Sequence, residues 1–125
     1  MIEITYDKLI PENITDSTMK DTNGAVVTFL GTTRDTFEGK KVVHLEYEAY
    51  ETMALQKLTE ISEESKYKYN ISDISISHRI GVVGVGEISL VVAVASPHRA
   101  EAFQACNELV DRLKEVVPIW KKEIY

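Results

Sequence analysis

Asp73-Ile74-Ser75-Ile76-Ser77-His78-Arg79, then Gly81-Val82-Val83-Gly84-Val85-Gly86, then Ile88-Ser89-Leu90-Val91-Val92-Ala93-Val94-Ala95 follow one another with no helix-period segment between them. Isoleucine alternates with serine in the first run and β-branched residues dominate the last, so 72–79 and 88–95 read as strands. The glycine-rich middle matches neither the dinucleotide fingerprint nor a phosphate-binding loop, and it reads as a turn. Strands that succeed each other without an intervening helix put the chain in the α+β class, with a largely antiparallel sheet.

Working outward, residues 2–6 alternate as a strand, 14–20 suggest a short helix, and 24–33 form an apolar strand ending near Arg34. Asp35 to Lys40 is polar and reads as a loop. Residues 42–50 alternate again, and 53–67 form a first main helix with Ala54, Leu58 and Ile61 on one face. The second main helix covers about 97–117 and stops before Pro118, leaving 119–124 as a final strand. No linker or low-complexity run interrupts this order, so residues 1–125 are expected to be a single domain.

The second main helix opens with Ser96-Pro97-His98-Arg99. Ser96 suits the N-cap and Pro97 the first helical position. The first turn of a helix is partly positive and favours acidic residues, yet His98 and Arg99 stand there, which points to a phosphate or carboxylate ligand. Further along, Phe103, Cys106, Leu109, Val110, Leu113 and Val117 form one apolar arc. Arg99 falls within that arc, where it needs an anionic partner, either a ligand or an internal carboxylate. Lys114 falls about 20° from Phe103, on the arc's margin. A lysine there either snorkels over the core or works in a pocket.

With 125 residues, 44% of them hydrophobic and 27% charged, the chain has material for one core. The net charge of −6 argues against binding nucleic acid or an anionic membrane surface, so any anion site is a local basic pocket. The N-terminus, Met1 to Tyr6, has neither a cationic start nor a continuous apolar run, and a cytoplasmic location is expected. A single cysteine rules out an internal disulfide, and no Cys/His cluster has metal-ligand spacing. Cys106, on the apolar arc, reads as a buried inert thiol.

Other polar residues read individually. Arg34 ends an apolar strand and begins a polar loop, a position equally suited to a functional cation and to a solvated one. His78 continues the face of Ile74 and Ile76 as a hydrogen-bonded core histidine, with Arg79 on the opposite face. His44 shares a face with Glu46 and Glu48 and is expected to be solvated or ion-paired. Lys40-Lys41 reads as a solvated turn. Alternation places Lys122 beside Trp120 and Ile124 and turns Lys121 to the other face, without deciding which lysine enters a pocket.

Five segments, Gly24-Ala25-Val26-Val27-Thr28-Phe29-Leu30-Gly31-Thr32-Thr33-Arg34, Leu45-Glu46-Tyr47-Glu48-Ala49-Tyr50, His78-Arg79-Ile80-Gly81, Ser96-Pro97-His98-Arg99 and Val117-Pro118-Ile119-Trp120-Lys121-Lys122-Glu123, carry a resemblance. In order and spacing the chain resembles the large, catalytic subunit of molybdopterin synthase from about Gly24 to Tyr125. Such subunits continue past the Lys-Lys-Glu segment into a polar tail with a further tryptophan, whereas this sequence stops at Tyr125.

The resemblance implies an α/β hammerhead fold and a sulfurtransferase activity. It implies a cyclic pyranopterin monophosphate substrate, and a small ubiquitin-like partner whose Gly-Gly C-terminus carries the sulfur as a thiocarboxylate. It further implies a homodimer within a heterotetramer, with no metal or organic cofactor in the transfer. The family's functional positions match Phe29, Arg34, His98 and Arg99 as substrate-binding residues and Lys114 and Lys121 as catalytic ones. Both reactants enter as anions, which fits a cationic pocket in an acidic protein. The competing reading is a non-catalytic module that docks the C-terminal tail of a ubiquitin-like protein on the same cations.

Overall fold

The two runs around the glycine-rich segment do pair with each other, and the rest of the architecture hangs on them. The computed structural model describes residues 1–125 as β1 (Ile2–Thr5), α1 (Pro11–Asp16), β2 (Ala25–Thr32), β3 (Thr36–Phe37), β4 (Lys40–Lys41), β5 (His44–Ala49), α2 (Glu51–Tyr69), β6 (Asp73–Arg79), β7 (Gly81–Gly84), β8 (Ile88–Ser96), α3 (Arg99–Val116) and β9 (Ile119–Ile124). A four-stranded sheet has the order β1-β6-β8-β2 and a three-stranded sheet the order β7-β5-β9. All pairings in them are antiparallel except that of β1 with β6. The expected α+β class, largely antiparallel with two main helices and of the hammerhead type, is borne out.

Strand β8 explains why its sequence is apolar at nearly every position. One face, Leu90, Val92 and Val94, packs with Ile74 and Ile76 under α2 and α3, against Leu58, Ile61, Ala102, Ala105 and Leu109. The other face, Val91 and Ala93, packs with Leu9 and Ile14 of the α1 region. A strand covered on both sides has no polar face to alternate with. Each fully buried Leu, Ile or Val contributes roughly 1.5–3 kcal/mol relative to exposure.

Three local expectations are corrected. Gly81–Gly84 is a strand, not a turn: Gly81 at φ +85° swings the chain out of the first sheet, and Val82-Val83 then pair with Glu46 and Leu45 of β5. The reversal itself comes later, at Gly86 with φ +79°. The 35–40 loop contains a small hairpin whose central Glu38 and Gly39 both have positive φ, the combination a two-residue turn needs to match strand twist. The first helix lies at Pro11–Asp16 rather than 14–20, because Pro11 takes its first turn.

The start of α3 also differs. His98, not Ser96, is the N-cap, and Ser96 stays in the β8 ladder opposite Ala25. The Ser96 hydroxyl donates to the His98 carbonyl instead of capping a helical N–H. Gly24 accounts for this geometry. Its N–H donates to the Ser96 carbonyl at 3.1 Å, and a Cβ there would run into the Pro97 carbonyl oxygen. The close approach holds the 96–98 corner against the start of β2. No helix in the molecule is long and apolar enough to cross a membrane.

Candidate active site

A pocket of ≈ 360 Å³ opens between the two sheets. The four-stranded sheet contributes Phe29, Gly31 and Thr32 from β2, His78 from β6, and Ser89 and Leu90 from β8. The three-stranded sheet contributes Tyr47 from β5 and Ile119, Trp120 and Lys121 from β9. The last turn of α3 closes it with Leu113 and Lys114. Lys121 sits opposite Tyr47 in the β5–β9 ladder, which answers the question that alternation left open: Lys121 lines the pocket and Lys122 does not.

No carboxylate lines this pocket, although the chain is acidic overall. Neither Lys114 nor Lys121 is among the ion pairs of the molecule, which engage Lys8, Lys20, Lys57, Lys66, Lys68, Arg79, Arg112 and His44. Two unpaired ammonium groups thus share a cleft with Phe29, Leu90, Leu113, Ile119 and Trp120. Lys114 and Lys121 are both solvent-exposed, so an entering anion meets two hydrated, unpaired ammonium groups beside apolar side chains. Trp120 is held at the mouth by an edge-on contact with Tyr50, with ring centroids 5.1 Å apart.

The floor is polar and self-satisfied. Tyr47 Oη donates to Ser89 Oγ at 3.4 Å, and Ser89 Oγ donates to the Gly31 carbonyl at 3.3 Å. Tyr47 also meets the His78 ring edge-on at a centroid distance of 5.1 Å. His78 is buried, as its strand face predicts, and its Nδ1 donates to the Arg79 carbonyl at 2.8 Å. Burial lowers its pKa from the ordinary imidazole value, against a smaller opposing effect of that hydrogen bond. Arg79 points away and pairs with Glu87 at 3.6 Å. Glu87, held below the usual carboxylate range chiefly by the Gly84 N–H, thereby braces the strand that carries His78.

The remaining candidates lie elsewhere. Arg34 is exposed, two positions beyond Thr32 of the pocket wall. His98 and Arg99 form a separate surface recess with Gly24, Pro97, Ala100 and Phe103. At about 1.5 Å of rise per residue, Arg99 and Lys114 are separated by about 22 Å along α3. Arg99 is not in the buried arc: it is exposed, and so is Phe103, which the arc also claimed. At this end of the helix the covered residues are Ala102 and Ala105, both fully buried, while Phe103 lies at the margin beside Val27, Thr28 and Phe29 of β2. Nor is the first turn without an acid, since Glu101 stands in it. Cys106 is buried as expected, and its thiol is pushed up to about 11, mainly by burial.

Tyr47, Ser89 and Trp120 were not singled out as site residues in the sequence. Tyr47 carried a usable signal, because it alternates onto the face opposite Glu46 and Glu48. Ser89 carried none.

Fold and pocket define an α+β domain with a carboxylate-free, lysine-bearing cleft suited to an anionic reactant. The family model described as MoaE protein matches residues 4–116. A Bacillus subtilis molybdopterin synthase catalytic subunit is 47% identical over 123 residues, covering 98% of this chain and 78% of that protein. The crystal structure of molybdopterin synthase from Staphylococcus aureus superposes with a TM-score of 0.94 at 42% identity, covering 98% of this chain and 89% of that one. A chain from the Helicobacter pylori complex of subunits 1 and 2 of molybdopterin-converting factor matches in fold alone, at TM-score 0.81 and 19% identity over 99% of this chain and 88% of that one. The chain belongs to the MoaE family of molybdopterin synthase catalytic subunits.

Proposed function

We propose that the pocket transfers sulfur from the thiocarboxylated Gly-Gly C-terminus of a small ubiquitin-like subunit to cyclic pyranopterin monophosphate, twice, to make the dithiolene of molybdopterin. The observation that carries this reading is the convergence of Lys114 and Lys121, from a helix and a strand, in one cleft without a carboxylate. The partner's thiocarboxylate is the nucleophile, which fits a chain whose only thiol is buried and poorly ionised. The ammonium groups hold the entering anion and supply a proton to the departing oxygen. Phe29 and Trp120 shield the reacting carbons from water.

In this reading His98, Arg99 and Arg34 bind the phosphate end of the substrate, and their distance from Lys114 must be reconciled with that role. A second copy supplies the means. Strand β2 is an edge of its sheet, with exposed Leu30 on it and exposed Phe103 beside it. Two such edges related by a twofold axis pair antiparallel. The arrangement brings Gly24, His98 and Arg99 of one protomer toward Thr32 and Lys114 of its partner. The homodimer is then a requirement of the site, set within a heterotetramer in the cytoplasm.

The test is direct: the purified chain is incubated with thiocarboxylated partner and the pyranopterin substrate, and the dithiolene product is measured. Product formation is expected. Tail binding without product would leave the docking-module reading instead.

A further inference from the structure

We infer that His78 is a substrate-recognition residue, a neutral hydrogen-bond acceptor on the pocket floor that reads an N–H group of the substrate's heterocycle. The inference deepens the proposed function and rests on it. His78 is 4% exposed, yet it lines the cleft that holds both lysines. Its Nδ1–H is committed to the Arg79 carbonyl at 2.8 Å, so the tautomer is fixed and Nε2 carries the lone pair. Nε2 has no partner in the protein.

The groups around the ring make the assignment specific. Tyr47 braces the ring edge-on, while its own hydroxyl is spent on Ser89, which in turn donates to Gly31. Neither hydroxyl proton on the floor is therefore left for Nε2. Lys114, Lys121 and the Trp120 indole are donors only, and Thr32 adds one exposed hydroxyl with no partner in the protein. Every anion-seeking group in the pocket is thus a donor, and His78 is the one ring that can accept from a ligand. A reduced pterin presents several ring and exocyclic N–H groups, which the lysines cannot pair. Pairing one of them at Nε2 orients the heterocycle so that its opposite end meets the lysines.

Two substitutions separate this role from packing. In His78→Asn the side-chain amide can keep the bond to the Arg79 carbonyl but does not reach the Nε2 position. In His78→Gln the amide oxygen can reach it. Binding of cyclic pyranopterin monophosphate, measured by calorimetry near neutral pH, should weaken roughly tenfold or more in His78→Asn and stay within about threefold of wild type in His78→Gln. Melting curves check that both variants fold.

The unmodified protein gives an independent readout. Histidine labelled with ¹⁵N should show an unprotonated Nε2 near neutral pH whose resonance moves when substrate binds. Affinity should also fall on acidification through the lowered His78 titration, below the ordinary imidazole range, because protonation turns the acceptor into a donor. The other titratable groups of the cleft are Tyr47 from β5, edge-on to the ring, Lys114 from α3 and Lys121 from β9. A Nε2 resonance that ignores substrate, or equal loss in both variants, would overturn the proposal while leaving sulfur transfer intact. Failure of the wild-type protein to bind the substrate at all would instead bring down the proposed function, and this inference with it.

Discussion

The two ends of α3 carry similar cations in opposite settings. At the C-terminal end Lys114 meets side chains from β2, β5, β6, β8 and β9 in a single cleft, and the lysine that joins it comes from another element. At the N-terminal end His98 and Arg99 are neighbours in one segment, exposed beside Gly24 and Phe103. A site capable of chemistry needs groups held from several directions by packed scaffold. The C-terminal end meets that condition within one chain, and the N-terminal end does not.

The largest effect should come from the complete end. Lys114→Arg keeps the charge but changes the donor geometry, and it almost never gives up a proton. Turnover with saturating thiocarboxylated partner should fall by roughly a hundredfold or more, with the melting temperature unchanged. Lys121→Arg should behave alike. Near-normal turnover in either variant would remove that lysine from the chemistry and make the two ends equivalent after all.

A smaller loss is expected at the incomplete end. Arg99→Ala should weaken binding of cyclic pyranopterin monophosphate by roughly 10- to 100-fold, the size of a charge-assisted hydrogen bond. The fold should survive, because Arg99 is exposed and pairs with no internal carboxylate. Mixing Arg99→Ala chains with Lys114→Arg chains sharpens the comparison. If the two ends meet across a dimer, mixed dimers regain one intact site and measurable activity. If they do not regain it, Arg99 acts on its own protomer or not at all.

Gly24→Ala probes how the N-terminal end is held. The added methyl meets the Pro97 carbonyl oxygen, a backbone atom that can move only with the whole 96–98 corner. A stability loss of about 1–3 kcal/mol is expected from overpacking, read as a lower denaturation midpoint. The shift should reach His98 and Arg99 and spare the Lys114 cleft. Substrate affinity should therefore drop while tail binding holds.

The strands were legible because β6 and β8 have the β-branched composition that a sheet demands, and the main helices because their apolar period is plain. Gly81–Gly84 was misread because glycine at both ends signals a turn, and nothing local says that β5 waits to pair with the valines between them. The roles expected of Lys114 and Lys121 come from the family resemblance, and spacing alone leaves each ambiguous; the structure adds that both line one pocket. The separation of Arg99 from Lys114 follows from helix length and was readable in principle. That Arg99 and Phe103 escape burial was not, since helical periodicity marks a broad face but not which of its residues the sheet covers, here Ala102 and Ala105. His78 is buried as its strand face predicts, yet it also lines a cleft that only tertiary packing creates.

The smallest effect belongs to the middle of α3, and it tests whether the helix between the two ends is merely a spacer. Cys106 lies there, buried, with its sulfur 3.9 Å from the Val92 carbonyl oxygen and its thiol pushed up to about 11. At pH 7–9 almost all of it is protonated, and a thiol attacks far more slowly than a thiolate. In the folded protein alkylation by iodoacetamide should be negligible at neutral pH and rise only as the pH approaches that value. Cys106→Ala removes one sulfur from the core, so the melting temperature should drop by a few degrees at most. Turnover and substrate affinity should stay within about twofold of wild type, because the residue touches neither recess. Rapid alkylation coupled to loss of sulfur transfer would mean that the middle of the helix takes part in the chemistry, and that the contrast between its ends is not where function divides.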